Sequence, residues 1–309
     1  MDYLELIDPE LRDNAKCVPF NRFIVGTGNI YQGVAWHMLK CPSGIKEETL
    51  VTEGYQGRRL KTSVFSPAEA ENELPALIYA HGGAFVYRPS EYHKKLAWIY
   101  AKRARCKVFF VYYHLSPRYK YPAAYEDILS VYKYVLSHAG ELGVDPERIG
   151  IGGDSAGASL AALVSNRYEQ EKVRMPRFQM LVYPLTDADM TTDSMKQFTD
   201  TPQWNSTYME PAWKYYCGKD RNLRYKATPM HCSLPGVIPD TYIETAQFDC
   251  LHDEGILYAE KLREAGAKVE INETKGTFHG YDIAMDAQIV KDNVKKRLSF
   301  LRRGFKETT

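Results

Sequence analysis

The chain has 309 residues, close to the roughly 250–300 residues at which single hydrophobic cores stop growing, so one large domain with an accessory piece is as reasonable as two. Forty Lys and Arg against 39 Asp and Glu leave a formal net charge of +1, which excludes a global field that would draw nucleic acid or an anionic membrane. Hydrophobic residues at 44% and charged residues at 26% are the balance of an ordinary globular protein.

Residues 1–12 carry Asp and Glu and lack a long apolar run, which argues against a signal peptide and for a cytoplasmic protein. No stretch approaches the ~20 apolar residues of a membrane span. From residue 58 onward, short apolar runs alternate with helical periodicity. Strands are expected at 60–65, 76–80, 108–113, 148–152, 178–183, 241–245 and 269–273. Most are near-continuous in apolar residues, as strands covered on both faces are. Between them, Tyr125, Ile128, Leu129, Tyr132, Val135 and Leu136 form one helical stripe, and 256–265 and 287–301 repeat the pattern. This alternation predicts an α/β fold with a mostly parallel sheet and helices on both sides, with active residues at the carboxyl ends of the strands.

Two segments break the rhythm: 1–50, and 187–232, which is rich in Thr, Asp, Met, Tyr and Trp. A connection that long inside a compact domain is more often a lid than a bare loop, so both are expected to build a cap on a single domain spanning 1–309. Basic clusters at Lys102-Arg103-Ala104-Arg105 and Lys295-Lys296-Arg297 are expected to be solvated faces. The six cysteines (17, 41, 106, 217, 232 and 250) lack C-x-x-C spacing and read as reduced, buried thiols. Neither His231-Cys232 nor Cys250-x-His252 has a usual zinc-ligand spacing, so no metal is expected.

The strongest chemical signal is Gly153-Asp154-Ser155-Ala156-Gly157, a G-x-S-x-G between an expected strand and a run of good helix formers. Such an elbow is sharp, and the positions two before and two after the serine must be small. A dinucleotide fingerprint beginning Gly150-Ile151-Gly152 fails because its third glycine position is Ser155.

The second signal is His81-Gly82-Gly83-Ala84-Phe85, directly after a strand. Acyl transfer builds charge on a carbonyl oxygen, so backbone N–H groups must already point at it. A nucleophilic serine also needs a base and an acid, and in this order of elements they follow as Ser, Asp or Glu, His. His279, in Gly276-Thr277-Phe278-His279-Gly280, follows the last strand, and Asp249 follows the one before. Asp253 and Glu254 are rivals that would otherwise cap a helix.

With these motifs in order, the chain resembles the hormone-sensitive-lipase-like esterases, an α/β-hydrolase branch that includes bacterial acetyl esterases. The resemblance runs from about Asp8 to the C-terminus. It also draws on Tyr113-His114-Leu115-Ser116-Pro117, on Tyr121-Pro122-Ala123-Ala124 and on Asp249-Cys250-Leu251-His252-Asp253-Glu254-Gly255. It implies an α/β-hydrolase fold with a helical cap and a triad of Ser155, Asp249 and His279. It further implies an oxyanion and substrate site at Gly82, Gly83, Ala84 and Ala156, and no cofactor. The chain departs from the family at Ala84, where a third glycine is usual, at His114 in place of Arg, and at Cys250 and His252 in place of Pro and Arg.

The reaction expected is hydrolysis of a small-molecule, short-chain (acetyl-like) ester through an acyl-enzyme. Tyr87, Tyr112, Tyr113 and Tyr183 are candidates for an aromatic pocket wall. Alternatives on the same residues are an amidase or arylformamidase, or a receptor that binds without cutting. The strand at 269–273 is a candidate edge for a homodimer.

Overall fold

The computed structural model describes residues 3–69 and 73–306. Eight strands form one sheet: β1 (Ile45–Glu53), β2 (Arg59–Pro67), β3 (Leu74–Ala80), β4 (Lys107–Val111), β5 (Val144–Asp154), β6 (Phe178–Val182), β7 (Asp240–Phe248) and β8 (Val269–Phe278). Their spatial order is β1-β2-β4-β3-β5-β6-β7-β8. The first two are antiparallel additions, and β4 to β8 run parallel. Strands β3 and β6 are buried along their whole length, which is why they read as unbroken apolar runs.

All seven expected strands are present, and an eighth corrects the expected cap boundary. Residues 45–50 belong to β1, paired with β2 from Ile45 opposite Pro67 to Glu53 opposite Arg59. Lys46, Glu47, Glu48 and Thr49 are exposed along it. An outermost strand covered on one side needs little apolar sequence, so periodicity gave no signal there.

The helices are α1 (Tyr3–Leu6), α2 (Arg22–Met38), α3 (Glu91–Ala104), α4 (Ala123–Ser137), α5 (Ala156–Arg167), α6 (Asp193–Gln197), α7 (Met209–Cys217), α8 (Arg221–Lys226), α9 (His252–Glu264) and α10 (Gln288–Gly304). Helix α3 packs with α10, while α4 packs with α5. Tyr258 of α9 joins that second group by donating to Asn166 Oδ1 at 3.0 Å.

The two irregular segments meet above the strand ends. Gln203 N–H donates to the Lys16 carbonyl at 2.9 Å, and the Gln203 side chain donates to the Asn14 carbonyl at 2.7 Å. Phe20 packs edge-on to Trp204 with ring centres 5.3 Å apart. The end of the second segment goes elsewhere. Pro229 accepts from Asn166 of α5 and Met230 from Lys261 of α9, at 3.3 and 2.6 Å.

Arg297 overturns the expectation of a solvated basic face. Lys295 and Lys296 are exposed, but Arg297 is fully buried in α10. It donates to Glu244 Oε2 at 3.0 Å and to Asp282 Oδ1 and Oδ2 at 3.0 and 2.9 Å. Burial raises the Glu244 carboxyl, but the Arg297 charge outweighs it and holds it below the usual carboxylate range. The cluster continues toward the strand ends, because Tyr183 O–H donates to Asp282 Oδ2 at 2.8 Å. Of the cysteines, Cys106, Cys217 and Cys250 are buried, whereas Cys17 is exposed, contrary to a uniformly buried set; all six are free thiols.

Replacing Arg297 with Met strands two buried carboxylates without a counter-charge. Urea unfolding of Arg297→Met is expected to show a loss of about 3–5 kcal/mol; a loss under about 1 kcal/mol would mean that the carboxylates simply take up protons.

Candidate active site

Strand β5 ends at Asp154 and α5 begins at Ala156, so Ser155 is the whole connection. It has φ 52° and ψ −122°, a conformation that side chains rarely adopt. Its N–H donates to the Val182 carbonyl at 2.8 Å, which fixes the turn against β6. A Cβ on Gly153 would stand 2.4 Å from the Ala80 oxygen, and one on Gly157 would stand 2.1 Å from the same atom. Nothing larger than glycine fits either place.

His279 follows β8 and Asp249 follows β7. The three side chains form one hydrogen-bonded row. Asp249 Oδ2 accepts from His279 Nδ1 at 2.7 Å, and His279 Nε2 faces Ser155 Oγ at 2.9 Å. Since a carboxylate can only accept here, the imidazole proton sits on Nδ1 and the Nε2 lone pair faces the hydroxyl. Asp249 has 0% exposure, and Oδ1 accepts from Leu251 N–H at 2.9 Å. The rivals point away: Asp253 Oδ2 accepts from Ser194 N–H at 2.8 Å, and buried Glu254 accepts from Thr186 N–H at 2.6 Å.

The segment after β3 runs beside this row. Gly83, Ala84 and Phe85 have φ of 112°, 51° and 60°, so three successive residues lie in left-handed space. The Gly83 carbonyl accepts from Val86 and Tyr87 N–H at 2.9 and 2.8 Å. Among the described residues, the N–H groups of Gly83, Ala84 and Ala156 engage no other protein group.

A buried network absent from the sequence reading lies beneath. Asp154 Oδ1 accepts from Tyr79 O–H at 2.9 Å, and Oδ2 accepts from His93 Nε2 at 3.0 Å. His93 Nδ1 is occupied as acceptor by Ser90 N–H, so the His93 proton faces the carboxylate. Burial raises Asp154, but the His93 and Tyr79 contacts prevail and hold its carboxyl below the usual range. His81 is buried against Tyr113, ring centres 4.4 Å apart, and Nδ1 donates to the Gly82 carbonyl at 2.7 Å. Burial and the neighbouring His93 push its pKa down to about 3.

Ser155 and His279 open into a cavity of about 280 Å³ that Gly82, Gly83 and Ala84 also line. Tyr87 and Tyr183 are in its wall, but Tyr112 and Tyr113 line a different groove. The rest of the aromatic wall is Tyr92 of α3 together with Phe20, Trp204 and Tyr208 from the two roof segments; the Trp and Tyr content of 187–232 was the available signal. On the other side of Ser155, a recess of about 20 Å³ is enclosed by Ala84, Ala156, Met209, Trp213 and Leu251.

His114, where the resemblance leads one to expect Arg, binds Asp127 Oδ2 through Nδ1 at 2.8 Å. His252 pairs with Asp253 at 2.9 Å, and among the described residues it forms no metal-ligand group with Cys250. Asp187, Asp189 and His231 bring one ligand atom each within 4.8 Å of one another, but His231 Nε2 is bound to Asp187 Oδ1 at 2.7 Å and Tyr225 occupies Asp189 Oδ1. Among the described residues, no helix is long and apolar enough to cross a membrane.

Eight strands in this order, with a serine alone between strand and helix, define the class of α/β hydrolases. Sequence comparison agrees, since a family model described as alpha/beta hydrolase fold matches residues 77–283. The chain belongs to this family, in its hormone-sensitive-lipase-like branch. It is 30% identical to carboxylesterase NlhH of Mycobacterium tuberculosis, over 96% of both chains. It is also 30% identical to an ethyl acetate hydrolase of Pseudomonas putida, covering 78% of this chain and 76% of that one. Among solved structures, a bacterial heroin esterase superposes with a TM-score of 0.90 at 31% identity, covering 98% of this chain and 99% of that one.

His81 titrates near 6.5 when unfolded and near 3 when folded. The unfolded chain therefore binds the extra proton between those values, and stability falls as pH drops below about 6.5, by up to ~1.4 kcal/mol per unit. Urea midpoints measured from pH 7 to pH 5 should decline less steeply in His81→Gln than in the wild type. Equal slopes would mean that another group carries the acid sensitivity.

Proposed function

We propose that the chain is a serine carboxylesterase that cleaves short-chain acyl esters, with Ser155 as nucleophile, His279 as base and Asp249 as the residue that orients the imidazole. The observation that carries this reading is the row Asp249–His279–Ser155 at 2.7 and 2.9 Å, opening into a cavity beside three unengaged N–H groups.

His279 Nε2 takes the Ser155 proton as Oγ attacks the ester carbonyl, and the imidazolium formed is stabilised by Asp249. The oxyanion is received by the N–H groups of Gly83, Ala84 and Ala156, each worth about 3–4 kcal/mol of barrier in comparable sites. His279 returns the proton to the departing alcohol, and water activated by the same nitrogen releases the acid from Ser155. Gly82 contributes room rather than charge, since a Cβ there would stand 2.3 Å from Asp154 Oδ2.

The recess of about 20 Å³ next to the Ala84 and Ala156 donors supports a short acyl group. A space of roughly one water-sized sphere takes a methyl and little more. The cavity of about 280 Å³ then receives the alcohol part under an aromatic roof. Residues 3–44 and 198–217 act as the cap; their mutual bonds through Gln203 support this.

Hydrolysis of p-nitrophenyl acetate should fall about 10⁴-fold or more in Ser155→Ala, with the fold retained; residual activity near wild type would remove Ser155 from the mechanism. Across p-nitrophenyl esters of two to twelve carbons, kcat/KM should be highest for acetate. In Trp213→Ala the maximum should move toward butyrate or hexanoate. A wild-type profile that is flat across chain lengths would show that the acyl group does not enter this recess.

A further inference from the structure

A second, larger cavity lies on the far side of the 81–90 segment, with a volume of about 620 Å³. Gln32 and Arg88 border both this cavity and the site cavity, and between the two α2 is tied to this segment. Asn29 donates to the Val86 carbonyl at 2.9 Å and accepts from Arg88 N–H at 2.7 Å, and Gln32 donates to Ser90 Oγ at 3.0 Å. Its walls are aromatic and cationic. Among the described residues, no Asp or Glu lines it, while Lys61, Arg88 and Arg118 do. Among the described residues, none of these three cations has a carboxylate partner.

Two of the three instead rest on rings. Lys61 Nζ lies 5.5 Å from the centre of Tyr112, and the Arg118 guanidinium lies 5.2 Å from the centre of Tyr119. Such contacts hold a cation without neutralising it, so the groove keeps a positive field over π surfaces. A void of this size suits a small organic molecule. An uncompensated cationic rim selects a negative charge, and the ring-lined floor selects a flat apolar body.

We propose that this groove is a binding site for a planar aromatic carboxylate, separate from the cavity at Ser155. The bound molecule lies one hydrogen bond from the 81–87 segment. Tyr113 O–H donates to the His81 carbonyl at 2.8 Å, and Ser116 N–H donates to the Phe85 carbonyl at 2.9 Å, and both residues line the groove.

The test uses 2-naphthoate as probe and the neutral 2-naphthamide as control, titrated by calorimetry into the full chain with and without Ser155 capped by a phosphonate. Naphthoate should saturate one site whether or not Ser155 is capped, and naphthamide should bind roughly tenfold or more weakly. In Lys61→Gln/Arg118→Gln, naphthoate affinity should drop about tenfold or more, while p-nitrophenyl acetate hydrolysis stays within about twofold of wild type. The charge-preserving Lys61→Arg/Arg118→Lys should keep most of the affinity, which separates charge from folding. No saturable binding, equal affinity in the Gln variant, or loss of binding on capping Ser155 would each overturn the proposal.

Discussion

The carbonyl of Ala80 is approached by two glycines at once, Gly153 from β5 and Gly157 from the first turn of α5, and a methyl on either would stand 2.4 or 2.1 Å from its oxygen. That contact brings the end of β3 against the elbow. Because His81, Gly82 and Gly83 leave directly from Ala80, the same contact sets where the proposed oxyanion donors stand relative to Ser155. Interiors are close-packed and transmit strain, so shifting either strand end by a fraction of an ångström would move the proposed nucleophile and donors apart. The proposed chemistry therefore depends on a steric constraint between two main chains as well as on its side chains.

Around this contact the molecule spends buried charge on orientation. Asp154, the last residue of β5, anchors Tyr79 and His93 beneath the proposed donors. On the opposite side, Arg297 gathers Glu244 and Asp282, and Asp282 receives Tyr183, whose ring centre lies 4.9 Å from that of His279. Buried charges are costly unless fully paired. Here their directional bonds hold an aromatic wall and a loop base in place, which apolar packing alone does less specifically.

Much of this was legible in the sequence, for identifiable reasons. Strands buried on both faces announce themselves by unbroken apolar runs, and the elbow by two glycines whose spacing has no cheaper explanation. Ser155, Asp249 and His279 could be ordered along the chain because each follows a strand. What escaped was of two kinds. Strand β1 is polar along its exposed face, so its pairing with β2 left no periodic trace. Arg297 looked like one more surface cation because Lys295 and Lys296 precede it; its partners Glu244 and Asp282 are 53 and 15 residues away, and no local pattern reports such a contact. The aromatic roof was legible as composition, but which rings face Ser155 depends on how two distant segments meet.

The backbone of Ser155 carries one more implication, for how such a chain ages once selection relaxes. At φ 52° and ψ −122°, a residue with a Cβ holds about 1–3 kcal/mol of strain that glycine would not, offset in part by the roughly 0.5–1 kcal/mol that glycine's freedom costs the folded state. With the nucleophile's role proposed for Ser155, activity and stability pull in opposite directions at this one position. On that proposed role, a duplicated copy no longer needed for turnover is not held at serine by its own folding energy; it gains stability by drifting to glycine.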